Sequence, residues 1–207
     1  MITENRAEKF KHAIAKRQTD LAIILENVHD PHNIGAVLRS CDSVGVENIF
    51  IIAPPQFNSL NEYLNRSKTS KGASKWMNIR FYKKISVCLE TVKNEGYFIL
   101  GTHLTKESLS LYELNLNKKV ALLFGNEHAG ISKEALEFVD QNFQIPQVGL
   151  VQSLNISVAC AVSLYEAFRQ RQKSGKYNHP FNAKDPKQAK IYERFVAIHR
   201  GISTKNK

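Results

Sequence analysis

The polar residues most able to do chemistry stand in three separated segments: Asn33 and Arg39, then Glu127, then Ser153 with Asn155. The densest segment is Pro146-Gln-Val-Gly-Leu-Val-Gln-Ser-Leu-Asn-Ile-Ser-Val-Ala-Cys160, an apolar strand end that turns into an apolar helix. Gln152, Ser153, Asn155 and Ser157 crowd that turn. One polar side chain suffices to cap a helix. Four of them must find partners or destabilise the fold. One reason for such a cluster is a ligand held at the helix N-terminus, where backbone N–H groups point outward.

The first segment is Asn27-Val-His-Asp-Pro-His-Asn-Ile-Gly-Ala-Val-Leu-Arg39. Asp30-Pro31 favours a turn, and Asn33 is placed to cap the helix that follows. Arg39 has two readings that the residues leave open. It is either an ordinary exposed helix arginine or a bidentate grip on a phosphate. His29, Asp30 and His32 hint at a metal. One short loop without a second ligand cluster is weak support, so no metal is expected. The second segment is Phe124-Gly-Asn-Glu-His-Ala-Gly-Ile-Ser132. Its two glycines permit close backbone approach to a ligand. It lacks the Gly-Lys-Ser/Thr ending of a phosphate loop, and Gly-x-Gly-x-x-Gly is absent. Glu127 is either a site carboxylate or a partner for a helix dipole.

These residues need a scaffold, and the sequence supplies one. Leu21–Leu25, Asn48–Ile52, Ile79–Tyr82, Tyr97–Gly101, Val120–Phe124 and Phe143–Ile145 read as strands. Between and around them, helices are expected at residues 4–17, 34–44, 86–94, 133–139 and 156–173, with Ser132 as an N-cap and Gly45 as a stop. Continuous apolar runs such as Val120-Ala-Leu-Leu-Phe124 suit strands buried on both faces of a parallel sheet. Alternation of the two types argues for an α/β domain with a mainly parallel sheet flanked by helices. Residues 56–77 are polar and basic, and read as a long surface excursion. Three units follow: a helical extension over 1–20, a core over 21–173, and a basic helical extension over 174–207, with a linker at 174–185 and a helix at 187–199.

The charge distribution points to a partner. The net charge is +10 over 207 residues. Residues 21–168 carry 13 Lys+Arg against 14 Asp+Glu, whereas residues 169–207 carry 11 against 2. Within the near-neutral core, Arg66, Lys68, Lys71, Lys75, Arg80, Lys83 and Lys84 form a basic run with no acid. A neutral core with basic surfaces added is the footprint of a polyanion binder, chiefly nucleic acid; the bland alternative is a solvated basic face. No apolar run reaches the roughly 20 residues that span a bilayer. Residues 1–20 lack the apolar stretch of a secretory signal. Cys41, Cys88 and Cys160 show neither metal spacing nor an even count. A reduced, cytoplasmic setting is the expectation.

The ordered combination is more specific than its parts. Asn33…Gly35…Arg39, then Gly125-Asn126-Glu127…Gly130, then Ile145-Pro146…Gln152-Ser153-Leu154-Asn155…Ser157 resembles the three motifs of the SPOUT-class RNA 2′-O-ribose methyltransferases. Ala15-Lys-Arg-Gln-Thr-Asp-Leu21, Ser67-Lys-Thr-Ser-Lys-Gly72…Trp76 and the tail from Gly175-Lys-Tyr177 resemble its TrmH subfamily, the tRNA (guanosine-2′-O)-methyltransferases acting in the D-loop at position 18. The resemblance implies a C-terminal deep trefoil knot, which composition would never suggest because folds are almost always unknotted. It implies S-adenosylmethionine as donor, bound by Thr102, Gly125, Ile145 and Leu154. It implies Arg39, Asn33, Glu127, Ser153 and Asn155 as the catalytic set, tRNA as substrate, and a homodimer packed through the last core helix. Alternatives are the same chemistry on ribosomal RNA or another tRNA position, a non-catalytic RNA-binding module, and an unrelated nucleotide-binding enzyme.

Overall fold

Strands that are apolar at every position bury both faces, and this chain sets them side by side. The computed structural model describes residues 2–65, 72–151 and 153–202. In chain order the elements are α1 (Glu4–Ala15), β1 (Gln18–Glu26), α2 (Pro31–Ser43), β2 (Val46–Ile52), α3 (Leu60–Asn65), β3 (Asn78–Tyr82), α4 (Ile85–Asn94), β4 (Phe98–Thr102), β5 (Leu109–Ser110), β6 (Val120–Phe124), α5 (Lys133–Leu136), β7 (Gln141–Gln144), α6 (Ile156–Lys173) and α7 (Pro186–His199). The seven strands form one parallel sheet in the order β3-β2-β1-β6-β4-β7-β5.

Alternate residues of β1 and β6 feed opposite faces. Leu21, Ile23, Leu25, Leu122 and Phe124 join Ile34, Val37, Leu38 and Cys41 of α2 and Cys160, Leu164 and Ala167 of α6 in the larger core. Ala22, Ile24, Ala121 and Leu123 face Cys88, Leu89 and Val92 of α4 and Ala135 of α5. The chain leaves β1 towards β2 and leaves β6 towards β7, so the order reverses between β1 and β6. Open α/β sheets bind ligands outside the strand C-termini at such a switch point.

Several expectations need correction. The helix after the first loop begins at Pro31, capped by Asp30, whose Oδ1 accepts from the His32 N–H at 2.8 Å. Proline at the first position suits a helix start, which moves Asn33 inside the helix and frees its amide for other work. Residues 56–77 are not simply a surface excursion: Phe57, Tyr63, Ala73 and Met77 are buried, and α3 lies within the stretch. The last strand ends at Gln144 rather than Ile145, and α5 is a single turn. Gly45, at φ +78°, follows α2 as expected.

The two extensions are one structure. Phe10 and Ile14 of α1 pack on Ile191 and Phe195 of α7, with Trp76 set against Phe10 and Phe195 at ring separations of 5.4 and 4.9 Å. Arg171 locks the end of α6 to the sheet. Its fully buried guanidinium donates to the carbonyls of Leu116, Lys118 and Asp20, to Gln18 Oε1, and to Asp20 Oδ1 at 2.5 Å. Lys176 donates to the other Asp20 oxygen. Burial alone would raise the Asp20 carboxyl, but the bonds from Lys176 and Arg171 hold it below its ordinary 3.8.

Two outcomes follow. Arg171→Met strands several carbonyls and the Asp20 carboxylate, and should destabilise by about 3 kcal/mol, a Tm loss of roughly 6–12 °C by calorimetry. The Asp20 contribution is present above the unfolded carboxyl's value and is lost as pH falls below about 4; Asp20→Asn should flatten that acid limb of the stability curve.

Candidate active site

Three of the five polar residues singled out in the sequence are joined by hydrogen bonds at the switch point, and a fourth, Ser153, lines the cavity beside them. The Glu127 carboxylate can only accept, and Asn33 Nδ2 donates to its Oε1 at 3.0 Å. That fixes the Asn33 amide, so its Oδ1 accepts, and Asn155 Nδ2 donates to it at 3.0 Å. The Asn155 oxygen then faces the start of α6, accepting from the Ser157 N–H at 2.9 Å and the Ser157 hydroxyl at 2.6 Å. Asn155 is the N-cap of that helix. The result is a relay from an anion through two amides to a helix N-terminus, with each donor and acceptor role dictated by its neighbour. Asn33 is buried at 7% exposure, so a broken link there leaves an unsatisfied amide.

The loop bearing Glu127 is closed on itself. Asn126 and Gly130 exchange backbone hydrogen bonds at 2.9 Å each. A Cβ at Gly125 would lie 2.2 Å from the Gly130 backbone, so only glycine permits that closure. Beyond the loop, the Ser132 N–H donates to Oε2 of Glu26, a buried carboxylate at the end of β1. Beneath the first loop, the buried Tyr63 hydroxyl donates to the Val28 carbonyl at 2.9 Å. Burial pushes that phenol far up, with the nearby Glu127 adding to it, so Tyr63 stays a neutral donor.

The C-terminal ends of β4, β6 and β7 and the segment before α6 enclose a cavity of about 810 Å³. Thr102, Gly125, Ile145 and Leu154 all line it, as do Glu127, Ser153 and Asn155. Its size falls within the roughly 300–1,000 Å³ of small-molecule sites. The Thr102 hydroxyl donates to the Leu123 carbonyl at 3.1 Å, tying two of the strands that floor it. Ser153 is exposed and makes no hydrogen bond among the described residues. Gln152 lies outside the described residues.

Arg39 is not brought to this cluster. It is exposed on α2, outside the cavity lining, and makes no ion pair among the described residues. Sequence reasoning missed Asn126 as a structural hub, and missed Asn27, the one described non-glycine residue with positive φ, +51°. For Asn126, an asparagine just after a strand-ending glycine was the available signal, since asparagine readily bonds nearby backbone. Asparagine also tolerates positive φ better than most residues, which suits Asn27.

A cavity at the switch point of a parallel sheet, with an ordered polar rim, defines a ligand-binding α/β domain, and comparison with known proteins says which kind. The model of the SpoU rRNA Methylase family matches residues 20–165, and the chain belongs to that family. It is 39% identical over 199 residues to the tRNA (guanosine(18)-2′-O)-methyltransferase of Thermus thermophilus, covering 94% of this chain and 95% of that protein. The crystal structure of the TrmH/SpoU tRNA modifying enzyme of A. aeolicus superposes with a TM-score of 0.81 at 34% identity, covering 94% of this chain and 97% of that one. The SpoU methyltransferase AviRb of Streptomyces viridochromogenes, solved in complex with the cofactor AdoMet, gives a TM-score of 0.64 at 25% identity over 75% of this chain and 59% of that one.

Asn33→Ala leaves Glu127 and Asn155 facing an empty position. It should lower stability by about 1–3 kcal/mol, read as a Tm loss of several degrees. An unchanged Tm would show that the relay carries no energy.

Proposed function

We propose that this chain is a tRNA (guanosine-2′-O)-methyltransferase that methylates guanosine 18 of the D-loop, using S-adenosylmethionine. The observation that carries the reading is that Glu127, Ser153 and Asn155 line the 810 Å³ cavity, with Asn33 bridging Glu127 to Asn155 behind them, in a chain 39% identical over 94% of its length to an enzyme of that name.

The donor fits the cavity by chemistry. Ile145 and Leu154 offer apolar walls, and the backbone of the Gly125 loop offers polar groups at close range. When bound, S-adenosylmethionine supplies an electrophilic sulfonium methyl. The protein must place a ribose hydroxyl in line with it and favour the alkoxide. Asn33, bonded at both ends, orders the rim together with Glu127 and Asn155. Ser153, exposed and unbonded among the described residues, is the group free to hold ribose or phosphate. Arg39 activates the hydroxyl by its charge. A guanidinium is a fixed charge and a poor base, so the proton passes to a phosphate oxygen or water.

A homodimer fits the surface. Val148 at 106% and Leu150 at 103% exposure project before α6, and Val158 and Tyr165 stand out from it. A second copy would cover them. Arg39, exposed and outside the cavity lining of its own chain, then serves a site completed at the interface. We also read the return of the chain after β7, across the strand ends and back to α2, as the trefoil knot, and place the protein in the cytoplasm.

The basic surfaces would hold the tRNA backbone. Lys184, Lys187, Lys190 and Arg200 are exposed on and around α7, and Lys75, Lys83 and Lys84 are exposed on the segments flanking β3. Arg80 is instead paired with Glu95, and Arg66, Lys68 and Lys71 lie outside the described residues. The family's rRNA name keeps ribosomal RNA as the second reading.

Transfer of a labelled methyl group should reach tRNA carrying guanosine 18 and stop when that residue is 2′-deoxyguanosine; label in ribosomal RNA alone would favour the second reading. Arg39→Ala should lower kcat about a hundredfold or more while leaving donor affinity nearly unchanged. Raising salt should weaken tRNA binding steeply, and Lys187→Ala with Lys190→Ala should reduce the log–log slope by about one per lost phosphate contact.

A further inference from the structure

The side chain of Asn126 makes four contacts that together fix a protonation state elsewhere. One of its terminal atoms takes the backbone N–H of His128 at 2.9 Å and of Ala129 at 3.0 Å. A backbone N–H only donates, so that atom is the oxygen. The other terminal atom therefore carries two protons. It faces the Asn27 carbonyl at 2.9 Å and Nδ1 of His29 at 2.9 Å. A ring nitrogen that receives an N–H at this distance must present its lone pair. His29 is thereby held as the neutral tautomer with its proton on Nε2. The imidazolium would set Nδ1–H against N–H and break the contact.

This contact joins two bodies that matter. The Gly125–Gly130 loop is closed internally, and it lines the cavity. His29 sits on the loop that leads from β1 into α2, four residues before Asn33. Two further links join the same bodies, from Asn126 Nδ2 to the Asn27 carbonyl and from Asn33 to Glu127.

We propose that Asn126 and His29 are positioning residues, a proton-sensitive tie that sets the cavity loop against the start of α2 for methyl transfer. The proposal rests on the methyltransferase reading. Neither residue need touch a reacting atom. The His29 half of the tie needs the neutral ring and is lost on protonation, leaving the Asn126 bond to the Asn27 carbonyl in place. The ionisable groups around it are Asp30 and His32 on its own loop, Glu127 and His128 on the facing loop, Glu26 at the end of β1, and Tyr63 beneath. Asp30 Oδ1 accepts from the His32 N–H and Glu127 Oε1 from Asn33, and among the described residues the one hydrogen-bond partner of the His29 ring is Asn126.

The test compares wild type, His29→Ala and His29→Asn in methyl transfer to a tRNA transcript over roughly pH 5.5 to 8, the range in which histidines exchange protons. Asparagine places an acceptor where Nδ1 stood but does not titrate. His29→Ala should lower kcat three- to tenfold, the loss of about one hydrogen bond, with a smaller change in KM for tRNA. His29→Asn should recover most of that kcat and lose the acid limb of the wild-type profile. If His29→Asn matches His29→Ala, or keeps the acid limb, the tie is wrong. Thermal melts of each variant separate this from misfolding. Nitrogen-15 NMR of labelled histidine gives a reading that needs no activity. At neutral pH, His29 Nδ1 should report a lone pair, with a shift towards the Nδ1–H tautomer in Asn126→Ala. A protonated Nδ1 in the wild type would overturn the proposal. If the wild type transfers no methyl group, the activity reading fails, and the NMR result alone decides the tie.

Discussion

The carboxylate of Glu127 gives the site its direction. An anion cannot donate, so Asn33 must turn its amide protons towards it. That choice forces Asn33 to accept from Asn155, and forces Asn155 to turn its oxygen to the first N–H groups of α6. Three segments far apart in the chain are thereby joined with a unique polarity. A network with each link satisfied rigidifies its surroundings, and a half-satisfied one is worse than none. The relay also explains why so many polar groups crowd the turn before α6. Asn155 and Ser157 complete the network and the cap, while Ser153 stands exposed at the cavity.

The sheet makes this meeting possible. Because the strand order reverses between β1 and β6, the loops leaving their C-terminal ends part to opposite faces and leave a crevice. The Asn27–Asp30 loop and the Gly125–Gly130 loop flank it, and α6 closes over one side against α2. The far end of α6 is anchored by Arg171 to β1, so the helix that follows Asn155 is fixed at both ends. Outside this frame, α1, Trp76 and α7 build a separate small core that presents the exposed lysines of the C-terminal extension.

Much of this was legible in the sequence. The continuous apolar runs at Leu21–Leu25 and Val120–Phe124 marked strands buried on both faces, and they are the central pair. Polar crowding in the turn before α6 pointed to a ligand site there, while Asn33 and Glu127 were singled out by the resemblance of the ordered motifs; the structure bonds Asn33 to both Glu127 and Asn155. Helix starts were harder. Asp30 and Asn33 are both good caps, and the deciding factor is proline at position 31, which pre-sets the first turn. Residues 56–77 looked polar by composition, yet Phe57, Tyr63 and Met77 bury themselves at intervals too irregular to read as one period. The roles of Asn126 and Arg171 rest on contacts across 97 and 151 residues respectively, and no local pattern encodes such pairings. Arg39 matched its motif but stands away from the cluster of its own chain.

The polarity of the relay is the central claim, and a reversal experiment tests it most directly. Asn155→Asp removes the donor to Asn33, while Asn33 cannot turn because Glu127 still demands its protons. Glu127→Gln lifts that demand: its amide can donate to the Asn33 oxygen, and Asn33 can then donate to the carboxylate introduced at position 155. A double-mutant cycle on thermal or denaturant stability should therefore show Glu127→Gln rescuing Asn155→Asp, with a coupling of about 1 kcal/mol or more between two residues linked only through Asn33. Additive losses in the double variant would contradict the account.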